Sequence, residues 1–139
     1  MIQRIQTIYL LLATIAGVAL IFIPFGIDTS AGNATNAVLL VKNMLTDLIA
    51  VSAVAVVSFI SIFLFKNRQA QMKLVLLAIL LSLGLIALFA YGLTTHVGWQ
   101  NYGFKLGAIL PLFMLIFNIL AYAGIKSDEN LVRSMDRLR

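Results

Sequence analysis

Apolar residues run almost unbroken from Ile5 to Phe25, Met44 to Phe65, Leu74 to Leu93 and Leu106 to Ile125, separated by charged or glycine-containing polar stretches. About twenty residues at about 1.5 Å rise cover the roughly 30 Å hydrocarbon layer of a bilayer. In lipid an isolated strand would leave its backbone groups unpaired, so each run is predicted to be a helix. The expected fold is an all-α membrane protein, an up-down bundle of four transmembrane helices. It forms one domain over 1–139, with spans at about 5–25, 44–65, 74–93 and 106–125. The connections are too short for a second domain, and no internal repeat interrupts the pattern. A cleaved signal peptide is the rival reading of the first run, with Arg4 before it and Thr29 to Ala31 as the small-residue site. Twenty-one apolar residues exceed the usual h-region of about 7–15.

Small and polar positions recur on single helix faces. At 100° per residue, Ala13, Gly17, Leu20 and Pro24 share a face of the first helix, and Asp47, Ala50, Val54, Ser58 and Ser61 one of the second. Gly107, Pro111, Asn118, Ala121 and Tyr122 fall together on the fourth. Small residues permit close backbone approach, and the Asn118 amide near mid-membrane calls for a Ser or Thr partner on a neighbouring helix. A pore-lining role for Asn118 is the competing interpretation.

The last fourteen residues, 126–139, carry seven of the fifteen charged side chains. Ser127 is placed to cap a short amphipathic helix, with Asp128 and Glu129 in its first turn where carboxylates suit the helix dipole. Leu131, Val132, Met135 and Leu138 then fall within an arc of about 120°, with Arg133 and Arg137 opposite. This tail is expected to dock on the inner leaflet or on a partner, through those four apolar side chains and two arginines.

Composition agrees with the pattern: 62% of residues are hydrophobic and only 11% charged. The net charge of +5 does not point to nucleic acid, because the basic residues lie between apolar blocks instead of forming an aromatic-interleaved patch. No cysteine is present, which excludes disulfides and cysteine-based metal or redox chemistry. Arg4, Lys66, Arg68, Lys73, Lys126, Arg133, Arg137 and Arg139 lie on one side of the four runs, and only Lys42 and Lys105 on the other. The positive-inside rule puts both termini and the middle loop in the cytoplasm.

On the outer side, Ala37 to Val41 is apolar and is expected either to start the second helix early or to lie in the interface. Asn33-Ala-Thr matches a glycosylation acceptor and is read as polar loop. Trp99, Tyr102 and Phe104 are placed for an interfacial aromatic belt. Asp47, three residues into the second run, is the acid nearest the membrane interior. It is a candidate cation or proton site, though a helix N-terminus or Lys42 or Lys105 would also stabilise its carboxylate. His96 lies in a loop with few potential co-ligands. No catalytic triad, carboxylate pair, phosphate loop or His-x-x-x-His spacing is visible, so no enzyme, cofactor or metal is expected.

Four stretches, MIQRIQTIYLLLA, FLFKNRQAQMKL, GAILPLFMLIFNILA and KSDENLVRSMDRLR, together resemble a family of small four-span bacterial membrane proteins. The family is known as domain of unknown function 4293 and is associated with the Bacteroidota. The resemblance implies a bacterial cytoplasmic membrane and brings no activity and no catalytic residues. The function expected is a non-enzymatic accessory or scaffold subunit of a membrane assembly, meeting lipid and a membrane-protein partner at the cytoplasmic face. A small oligomeric channel or transporter using Asp47 and Asn118 is the alternative.

Overall fold

The computed structural model describes residues 3–29, 37–97 and 101–136. Its helices are α1 (Gln3–Phe22), α2 (Leu45–Phe63), α3 (Arg68–Gly92) and α4 (Leu110–Asp136), and its strands β1 (Gly26–Asp28), β2 (Ala37–Leu39) and β3 (Tyr102–Phe104). Helix α1 packs on α2 and α4, and α3 on the same two, so the four form a closed ring. By length and composition all four can cross a membrane.

One spacing organises the interior. Buried positions fall at 6, 10, 13, 17 and 20 in α1 and at 47, 51, 54, 58 and 61 in α2, with the small Ala16 and Ala55 buried beside them. They fall at 71, 75, 78, 82 and 85 in α3, and at 111, 114, 118, 121, 125 and 128 in α4. These alternating steps of three and four average about 3.5 residues, the repeat of left-handed bundles crossing at about 20°. Lipid is as apolar as leucine, so shape rather than water exclusion holds such helices together. Gly17 illustrates this: a Cβ there would stand 2.8 Å from Met114 Cε and 3.0 Å from Ala55 Cβ. Outward positions such as Ile8, Ile15, Phe59, Leu80 and Leu112 are large, apolar and exposed, as a lipid-facing surface requires.

A small antiparallel sheet, in the order β2-β1-β3, caps one end. Gly26 pairs with Leu39 on one side and Phe104 on the other. Pro24 cannot continue a helix, and the chain turns extended there. Residues 37–39 therefore do not begin α2 early. They form an edge strand, and a 3-10 turn at Val41–Asn43 leads into α2. The reason is that extended backbone near lipid needs partners, and β1 supplies them. A Cβ on Gly26 would meet the Tyr102 ring at 2.2 Å, so only glycine fits beneath it.

Tyr102 is tied into this cap. Its hydroxyl donates to the Phe25 carbonyl at 2.6 Å, and its ring meets Phe104 edge-on at 4.7 Å. Phe104 is exposed, whereas Trp99 lies outside the described residues. Burial pushes the Tyr102 phenol above its ordinary value of 10.0. A raised folded-state value favours the neutral phenol, so its contribution is complete below pH 10 and lost as pH climbs through the folded value. Tyr102→Phe is expected to cost about 1 kcal/mol at neutral pH and to remove that alkaline component of unfolding. Thermal unfolding in detergent between neutral and strongly alkaline pH tests this; identical profiles for both proteins would refute it.

Two further boundaries differ from expectation. Helix α3 starts at Arg68, because the Asn67 side chain caps it by accepting from the Ala70 amide at 3.2 Å. Most of the basic middle loop is thus helical. Helix α4 runs without a break through Ser127 to Asp136, so Ser127 caps no separate tail helix. Residues 125–136 contain neither glycine nor proline, so no strong helix breaker stops propagation. Leu131 and Val132 are exposed on this extension. Arg133 and Met135 belong to α4 by backbone, while Arg137 and Leu138 lie outside the described residues.

Candidate functional site

The polar chemistry of the bundle sits at three levels. At the end away from the sheet, the repeat places a polar residue on each helix: Gln6, Ser61, Gln71 and Asp128, all buried. Gln6 Nε2 donates to Asp128 Oδ2, joining α1 to α4. Gln71 Nε2 donates to the Ser61 carbonyl at 3.1 Å, joining α3 to α2, and the Ser61 hydroxyl donates to the Val57 carbonyl at 2.7 Å. Arg68 Nη1 reaches the Asp128 main-chain carbonyl at 3.5 Å. A Cβ on Gly124 would lie 3.0 Å from Gln6 Cγ, so the Gln6 stem runs close along α4. These contacts form a clasp closing that end.

The middle level lies between two apolar clusters, one around Leu20, Val51, Leu85 and Met114 and the other around Leu10, Val75, Ala121 and Ile125. Here the Ser58 hydroxyl donates to Asn118 Oδ1 at 3.0 Å. The bond runs from α2 to α4, between helices that are not neighbours in the ring, so it crosses the interior. Asn118 is fully buried, and its Nδ2 has no hydrogen-bond partner among the described residues. The Ser82 hydroxyl, on α3, donates to its own Ala78 carbonyl at 2.7 Å.

The third level lies under the sheet. Asp47 sits in the first turn of α2, where the helix N-terminus favours a carboxylate, and only 8% of it is exposed. It lines a cavity of about 610 Å³ together with Asp28, Thr46 and Tyr91, and with Leu39, Met44 and Leu88 as apolar wall. Asp28 comes from β1, which sequence reading treated as loop. His96 lies in the π turn Leu93–Val97. Among the described residues, no three of His, Asp and Glu gather closely enough to hold a metal ion.

Sequence reading singled out Asp47 and Asn118, and the structure places them at different levels, one under the sheet and one in the middle. Gln6, Gln71, Asp128 and Asp28 were not anticipated as site residues. The first three carry a legible signal: Gln71 and Asp128 continue the three-four spacing of their helices one step beyond the apolar runs, and Gln6 keeps it near the start of the first run.

A ring of four apolar helices, antiparallel in sequence order and buried along one seam each, defines a multi-pass membrane bundle. Residues 2–138 match the family model described as Domain of unknown function (DUF4293), and the chain belongs to that family. No curated protein and no solved structure matches it.

Proposed function

We propose that the protein is a non-enzymatic accessory or scaffold subunit of a membrane assembly, in a bacterial inner membrane with both termini cytoplasmic. The observation that carries this reading is the filled interior. Leu10, Ala13, Leu20, Val51, Val54, Val75, Ala78, Met114 and Ala121 have no exposed surface, and the clasp and the sheet lie over the two ends. Among the described residues, a single bundle packed in this way leaves no aqueous route along its axis, which favours a role for its outer surfaces. The division of Lys and Arg supports the orientation. Purification of the tagged protein in mild detergent is expected to bring down a stoichiometric membrane partner. A periplasm-active reporter should work after Asn33 or Gln100 and fail after Gln69.

A small oligomeric channel or transporter is the second reading, favoured by the cavity that holds Asp28 and Asp47. It requires wild-type vesicles to show flux and Asp47→Asn to abolish it, because a buried carboxylate would be the ion's counter-charge. A chain that purifies alone and carries such flux would overturn the scaffold reading.

A further inference from the structure

At the clasp end, outside the ring, α3 and α4 leave a recess of about 300 Å³ lined by Gln69, Met72, Lys73, Leu76 and Tyr122. None of its three polar side chains has a hydrogen bond or ion pair within the described protein. An ammonium, a phenol and an amide thus converge on one recess with donors to spare, beside the apolar Met72 and Leu76. We infer that this recess binds the headgroup of one anionic phospholipid.

Depth supports the assignment. The apolar helix Arg68–Thr95 has 28 residues, a length of about 42 Å. That is about 12 Å more than the hydrocarbon layer, leaving Gln69 to Lys73 at the boundary of headgroups and acyl chains. Lys126, one turn beyond Tyr122 on the same face of α4 and exposed, adds a second cation on the aqueous side. Lys73 and Tyr122 supply donors to the phosphate, and Gln69, one turn nearer the aqueous side, supplies one to the headgroup alcohol beyond it. The acyl chain follows Leu76 and, a turn further on, the exposed Leu80. Basic pockets between membrane helices suit anionic headgroups for this reason: charge attracts them, and the apolar wall holds the chain that a free phosphate lacks. The inference stands independently of the accessory-subunit reading.

The test is native mass spectrometry of the full chain in mild detergent, titrated with phosphatidylglycerol or phosphatidylcholine. One phosphatidylglycerol should bind about fivefold more tightly than phosphatidylcholine, and Lys73→Gln should remove most of that preference. Tyr122→Phe, which keeps the ring packing, should weaken phosphatidylglycerol about threefold. Lys105→Gln, near the sheet, should change nothing, and millimolar inorganic phosphate should not displace the lipid. Unchanged binding in Tyr122→Phe, a retained preference in folded Lys73→Gln, or displacement by inorganic phosphate would each overturn the site. Should Lys73→Gln fail to fold, Tyr122→Phe decides alone.

Discussion

Gly107→Ala is expected to destabilise the bundle by about 3 kcal/mol, near the upper end for overpacking in a tight interior. A Cβ at residue 107 would stand 2.6 Å from the Pro24 carbonyl oxygen and 2.9 Å from that of Ile23. Those are backbone atoms just after α1, and they cannot step aside as a side-chain tip could. The Gly107 amide also donates to the Pro24 carbonyl at 3.1 Å, so separating the two segments sacrifices a hydrogen bond as well. Gly84→Ala is the matched control, because a Cβ there meets nothing within 4 Å. It should be neutral or stabilise by about 0.5–1 kcal/mol through helix propensity. Thermal unfolding of both variants in one detergent makes the comparison, and equal midpoints would refute the close approach.

The second large effect belongs to the clasp. Asp128→Ala should cost about 2–3 kcal/mol, because it strands the buried Gln6 amide without an acceptor. Asp128→Asn keeps an acceptor oxygen and should cost less than about 1 kcal/mol. Replacing both partners, Gln6→Leu with Asp128→Leu, should recover most of the loss, since neither group is then left unsatisfied. Hydrogen exchange adds a positional readout: in Asp128→Ala the amides after Glu129 should exchange faster, the helix end having lost its anchor on α1. If Asp128→Ala and Asp128→Asn behave alike, the bond between Gln6 and Asp128 does not hold the end.

The sequence made the four helices and their inward faces legible because lipid leaves few alternatives. An apolar run of twenty residues must be helical, and small or polar residues on it must face inward. Ala13, Gly17, Leu20, Val54, Ser58, Ser61, Gly107, Pro111, Asn118 and Ala121 are all buried, whereas Pro24, Ala50 and Tyr122 are partly exposed. What misled was hydropathy at the boundaries. Gln71 and Asp128 are polar, so the predicted spans stop short of them, yet the spacing rather than the polarity decides which side they face. Ser127 looked like a cap because Asp128 and Glu129 follow it, but the Asp128 carboxylate is engaged by α1 and the helix continues. The sheet was illegible for a different reason. Each strand is three residues long, too short for alternation to register, and β1 and β3 are separated by α2 and α3.

That separation also sets an order of assembly. During synthesis β1 and β2 emerge with only a short connection between them and can pair as soon as both are made. The third strand arrives two helices later, after α2 and α3. Until then the far edge of β1 stays open, and the Thr29 amide lacks the Asn101 carbonyl that accepts from it at 2.9 Å in the finished protein. Contacts so distant along the chain form late. The last strand can therefore close the cap only once α2 and α3 have been made, and pulse-labelled exchange at the Thr29 amide would time that event.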